Sequence, residues 1–204
     1  MLILLGFSLF FLYLIYREFN NPNDLDNFTK GYIAVLAILA LLATYPIMDH
    51  WRFERLLSAK TSQLADNRHA EVTCTTVFQS VYDTFGLAGT ANPTTGVVIL
   101  QYPTCNELRD YIDSPETAST REIYSLSVFT HEAMHVRGEL DEQKTECQSI
   151  QRFVRSAKLF GVPTHIAERQ VKGYYRGPYE QHPYFSEKCA EGKAFDEGLG
   201  DPAW

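Results

Sequence analysis

Two charge-free apolar runs near the N-terminus restrict this chain more than any other feature. Residues 1–16 read MLILLGFSLFFLYLIY and residues 32–48 read YIAVLAILALLATYPIM. Hydrocarbon offers the backbone no water to bond, so a lone segment crossing it is a helix. Each run is near the lower length limit for a spanning helix, about 17–25 residues. The first run lacks a basic start and a small-residue cleavage site, which argues against a removable signal peptide. Pro46 lies near the end of the second run, where a membrane helix tolerates it. Residues 17–31 (REFNNPNDLDNFTKG) are polar and turn-rich, and can join two antiparallel spans as a hairpin. Beyond the second run come Trp51, Arg52, Arg55 and Lys60, the aromatic and basic residues of a membrane interface. The alternative is one anchor plus a buried core helix.

From about residue 71 the composition is that of a globular domain, long enough to bury one core. The expected organisation is a two-helix transmembrane hairpin over 1–50, a juxtamembrane stalk over 51–70 and a soluble domain over 71–204. The net charge is −7 and the basic residues are scattered, which excludes a nucleic-acid partner. The four cysteines, Cys74, Cys105, Cys147 and Cys189, all follow the apolar runs. None forms a Cys-x-x-Cys pair, and an even number fits two disulfides in an oxidising compartment. Two topology signals conflict. Arg52, Arg55, Lys60 and Arg68 outnumber Arg17 and Lys30, which favours a cytoplasmic domain. The cysteines favour the outside, and they carry more weight because the charge difference is small.

The chemistry lies in His131-Glu132-Ala133-Met134-His135, a His-Glu-x-x-His pattern. On a helix, positions four apart share a face, so both imidazoles can reach one ion. Glu132 is then placed as the general base toward a water activated by the metal. Tyr124, Val128, His131, His135 and Gly138 recur at helical spacing, and Leu126, Phe129, Ala133 and Val136 form a second apolar stripe. A helix apolar on two faces is buried. Gly138 can end it in a left-handed turn, and Asp141 can cap a second helix running to Phe160, before Gly161 and Pro163. Glu142 and Glu146 lie four apart beside that helix's apolar seam, and a short connection makes the two helices antiparallel neighbours. A catalytic zinc takes three protein ligands. Both Glu142 and Glu146 could face the His pair, and either could be the third.

The run Glu142-Gln143-Lys144-Thr145-Glu146-Cys147 resembles the Glu-x-x-Ala-Asp element of gluzincin metallopeptidases, with Thr-Glu standing where the family has Ala-Asp. It is similar to the Glu-Leu-Gln-Ala-Asp-Cys form of neutral zinc metallopeptidases in bacteria. That resemblance implies Glu142 as zinc ligand and Glu146 as the acid that orients a ligand histidine. The spacing His131-Glu132-x-x-His135-x-x-Gly138-x-x-Asp141 is also similar to snapalysin-like metzincins, in which Asp141 would be the ligand. The wider arrangement resembles membrane-anchored actinobacterial proteins with a His-Glu-x-x-His helix, an Asp-Glu…Glu-Cys element and a cysteine near the C-terminus. Four cysteines allow three pairings. The resemblance, together with order along the chain, favours Cys74–Cys105 and Cys147–Cys189.

Residues 96–102 (GVVILQY) read as a strand, either an edge that holds an extended substrate or a strand completing the core. Residues 173–185 (GYYRGPYEQHPYF) are rich in Tyr, Gly and Pro and include His182. A Tyr or His there can stabilise an oxyanion, but packing of a loop-rich region is the stronger expectation. The resulting expectation is an α+β zincin-like domain with an active-site helix and a small sheet, preceded by two transmembrane helices. Its Zn2+ would sit among His131, His135, Glu142 and Glu146, with Glu132 catalytic. It would be a zinc metallopeptidase, a hydrolase on the outer side of the cell membrane, with the lipid bilayer and a peptide or protein substrate as partners. The alternatives are a non-catalytic zinc-stabilised extracytoplasmic binding module, or an aromatic loop that binds a ligand beside a vestigial His pair.

Overall fold

The structure is a computed structural model, and it describes residues 2–20, 26–77, 79 and 88–200. Two compact units divide the chain, Met1–Phe53 and Glu54–Trp204. The first holds helix α1 (Leu2–Phe19) and most of helix α2 (Asn27–Leu64). Both helices extend into the polar stretch 17–31, and residues 21–25 lie outside the described set. The stalk expected over 51–70 is in large part the last turns of α2, a 38-residue helix about 57 Å long at 1.5 Å per residue.

Within the first unit, Ser8 and Thr44 join the two helices through a 2.7 Å hydroxyl–hydroxyl hydrogen bond. Thr44 donates to the Ala40 carbonyl, so Ser8 is the donor between the helices. Leu36, Ala40 and Ala43 are buried, whereas Leu5, Phe7, Leu9, Leu12, Leu41 and Leu42 are exposed. Among the described residues, α2 is the one helix that meets both the length and the hydropathy needed to cross a membrane. Only 17% of its most apolar 18-residue stretch is buried, unlike the core helix of a globular domain.

The second unit is mostly helical around a small sheet. Strands β1 (Glu71–Cys74), β2 (Gly89–Ala91) and β3 (Val97–Leu100) lie in the order β1-β3-β2. β3 runs parallel to β1, with Glu71 opposite Val97, and antiparallel to β2, with Gly89 opposite Leu100. The strand read at 96–102 is thus central in the sheet, with β2 at an edge. It alternates as a half-buried strand should: Val98 and Leu100 are fully buried, while Val97 and Ile99 face out. The end of α2 belongs to this unit and lies along the outer edge of β1. Leu57 is fully buried, Ser58 Oγ accepts from the Val72 N–H, and Glu54 accepts from the Cys74 N–H.

The unit also holds helices α3 (Tyr102–Asp113), α4 (Thr120–Arg137), α5 (Glu142–Leu159) and α6 (Thr164–Tyr175). α4 begins at a capping box, in which Ser119 Oγ accepts from the Glu122 N–H and Glu122 accepts from the Ser119 N–H. Every residue from Ser125 to Met134 is buried, as two apolar stripes require. α5 packs along α4, and Thr130 and Ser156 hydrogen-bond at 2.8 Å between them. α3 and α6 flank this pair, linked by the buried bond from Tyr111 Oη to Gln170 Oε1 at 2.8 Å. Disulfides join Cys74 on β1 to Cys105 on α3, and Cys147 on α5 to Cys189. These are the pairs that the resemblance favoured, and they fit a domain outside the cytoplasm.

Candidate metal centre

α4 presents His131 and His135 one turn apart on the side that faces α5. The helix ends at Gly138, whose φ of +113° is left-handed backbone that suits glycine. Three residues later Asp141 caps α5, its Oδ1 accepting from the Lys144 N–H at 3.0 Å. Glu139 braces this short connection, accepting from the Leu140 and Asp141 N–H groups and from Lys144 Nζ at 2.6 Å. The turn therefore delivers the first residue of α5, Glu142, directly against the two imidazoles.

The resulting distances define a small convergent site. The Nε2 atoms of His131 and His135 lie 3.1 Å apart. Glu142 Oε2 lies 3.1 Å from the first and 3.4 Å from the second. The opposite ring nitrogens are both held. His131 Nδ1 meets Glu146 Oε2 at 2.8 Å, and His135 Nδ1 meets the Glu139 carbonyl at 2.8 Å. Each acceptor favours a proton on Nδ1, which turns an Nε2 lone pair inward. Two lone pairs and a carboxylate oxygen facing one another at this range repel unless a proton or a metal cation lies among them. His131, His135 and Glu142 can hold a metal ion there.

The sequence-derived residues thus occupy different places. His131, His135 and Glu142 converge. Glu146, four residues along α5, reaches the far side of the His131 ring. Asp141 spends its carboxylate on the helix cap. Glu132 is 5% exposed and lines the groove beside the imidazoles, and its Oε2 has no hydrogen-bond partner among the described residues. Burial pushes its carboxyl up to about 7; the charge of His131 opposes this, and those of Glu142 and Glu146 add to it. Burial alone would lower the His131 pKa, but the Glu146 bond and the charges of Glu146, Glu132 and Glu142 leave it raised.

The groove above these groups measures about 510 Å³. One wall is β2 and the residues around it, including Ala88, Gly89 and Pro93. At Gly89 a Cβ would lie 3.0 Å from Glu132 Oε1 and 2.9 Å from Leu100 Cδ2, so the edge strand can approach Glu132 this closely only without a side chain. The other wall carries Tyr124, His182 and Tyr184, and the Tyr184 ring stacks on His131 at 5.8 Å with planes 20° apart. The aromatic segment 173–185 therefore supplies part of the site as well as packing. The sequence carried no sign of Gly89 in this role, because its neighbour is remote along the chain. Tyr184 was visible only as one aromatic among several.

No family model, curated protein or solved structure matches this chain. What the site can do follows from its own geometry.

Proposed function

We propose that this chain is a membrane-anchored zinc-dependent peptidase, built on a zincin-like domain, that hydrolyses peptide bonds. The observation that carries the reading is the trio of donor atoms 3.1–3.4 Å apart, each imidazole braced from behind, beside the buried Glu132, whose Oε2 has no partner among the described residues. Ligand atoms about 2.0–2.1 Å from a tetrahedral zinc lie roughly 3.3 Å apart, so His131, His135 and Glu142 fit that ion with a fourth position left for water. When bound, zinc would supply a Lewis acid that polarises a carbonyl and acidifies a water. Glu132 then has the place and basicity to accept the proton of the attacking water and pass it to the leaving amine. Glu146 holds the His131 tautomer. The edge strand β2 would offer backbone groups to an extended peptide lying across the groove.

The exposed leucines and phenylalanines of α1, with the Ser8–Thr44 bond, support a second membrane span beside α2. Two disulfides support placing the domain on the outer side. The rival reading is a non-catalytic zinc-stabilised binding module. It requires the fourth metal position to be filled by protein, and the trio of ligands does not favour it.

The test uses the full chain in detergent. About one zinc per chain is expected, with His131→Ala and His135→Ala each losing it. Glu132→Gln should keep zinc and lose cleavage of a broad peptide library. Equal cleavage by wild type and Glu132→Gln would sink the peptidase reading, and full zinc in both histidine variants would sink the metal centre.

A further inference from the structure

Behind the metal-facing atoms lies a buried hydrogen-bonded chain that crosses three helices. Glu146 on α5 is 3% exposed, and so is Tyr174 on α6. Tyr174 Oη donates to Glu146 Oε1 at 3.1 Å, while Glu146 Oε2 receives His131 Nδ1 at 2.8 Å. An ionised carboxylate only accepts, and a phenol has one proton to give, so the direction of the first bond is settled by chemistry. Those two oxygens are thereby committed to different helices. A carboxylate held at one oxygen alone can swing about its terminal torsion, which is broad. Held at both, it has one orientation, and that orientation sets the plane of the His131 ring.

We propose that Tyr174 is a positioning residue of the metal centre: its hydroxyl fixes the Glu146 carboxylate and, through it, the His131 imidazole. The inference rests on the metal-centre reading above. It assigns to α6, which offers the metal no ligand, a part in metal affinity. The Tyr174 ring lies 6.5 Å from that of Tyr124, so the ring itself is packed in place, and removing only the hydroxyl leaves that packing.

A double-mutant cycle on the full chain decides this. Zinc affinity is measured by competition with a chromophoric chelator for wild type, Tyr174→Phe, Glu146→Gln and the double variant. Glu146→Gln should weaken zinc about 10–100-fold, the usual range for a group behind a ligand. Tyr174→Phe should weaken it about 10-fold, at the low end of that range. In the Glu146→Gln background the same change should cost less than about 2-fold, because its partner is already altered. Wild-type affinity in Tyr174→Phe, or the same loss in both backgrounds, would overturn the proposal and leave Tyr174 a packing residue. If Tyr174→Phe alone does not fold, a further loss of zinc affinity from Glu146→Gln to the double variant overturns the proposal, since the hydroxyl would then act without the Glu146 carboxylate. A wild-type chain that binds no zinc fails differently: it removes the metal centre itself.

Discussion

At the scale of single residues, Asp141, Glu142 and Glu146 follow His135 within eleven positions, and the structure gives each different work. Glu142 faces both Nε2 atoms, Glu146 backs one ring, and Asp141 caps a helix. Their alanine variants should separate accordingly. Glu142→Ala should abolish tight zinc binding, and Glu146→Ala should weaken it about 10–100-fold. Asp141→Ala should leave affinity nearly unchanged and cost about 1 kcal/mol of stability, the usual value of an N-cap. Zinc titration with denaturant melts on the same three proteins checks all of this. Tight binding by Glu142→Ala would move the third ligand elsewhere. The pattern His-Glu-x-x-His was legible along the chain because helical spacing alone puts its imidazoles on one face. The ranking of the acids was not derivable from spacing, because it depends on where α5 crosses α4. In an antiparallel pair the residue level with His131 lies further along α5 than the one level with His135, and a slide of about one helical turn exchanges their roles.

At the scale of elements, the α4–α5 connection is the hinge of the site. Gly138 turns the chain in left-handed backbone, and Arg68 donates to the Val136 carbonyl near the same helix end. The Arg68 guanidinium would lie 2.8 Å from a Cβ at position 138. Gly138→Ala should therefore destabilise the fold by about 1–2 kcal/mol from left-handed strain. It should also lower zinc affinity, since Glu142 is positioned by this turn. Thermal melts and zinc competition on this variant test the two effects, and a protein as stable as wild type would show that the turn relaxes freely. The turn was foreseeable, since a glycine follows the last apolar position and an aspartate precedes the next helix. The place of 96–102 in its sheet was not. Alternation marks a strand, but edge or centre depends on β2, a three-residue strand too short and too small in side chain to announce itself.

At the scale of the whole second unit, residues beyond Cys189 return to clasp the helix pair. Glu197 pairs with Arg152 and, at 3.0 Å, with Arg137, and its N–H donates to Gln151 Oε1. Asp66 joins the same cluster through Arg137 at 2.7 Å. Burial alone would raise the Glu197 pKa, but the two guanidinium groups outweigh it and hold the carboxyl below its ordinary value. A carboxyl lowered in the folded state stabilises the fold above its unfolded pKa, about 4.3. That stability is lost as pH falls through the folded value. Wild type should accordingly lose stability faster than Glu197→Gln as the pH drops below about 4.3. Urea midpoints at a series of pH values would show parallel curves if the cluster contributes nothing.

The sequence by itself determined what depends on neighbours along the chain. Helical periodicity marked α4 and α5, apolar runs marked α1 and the membrane-compatible α2, and a five-residue pattern marked two imidazoles and a carboxylate. Only the tertiary structure decided which groups meet across the chain. It set Glu142 at the imidazole pair and Glu146 behind it, laid Gly89 against Glu132, stacked Tyr184 on His131 and aimed Tyr174 at Glu146. The physical reason is that local spacing fixes the direction of a side chain relative to its own helix axis. The distance between two elements is set instead by ridges, turns and cross-links summed over the whole core, and a shift of about one helical turn, roughly 5.4 Å, is what would change which carboxylate faces the imidazole pair.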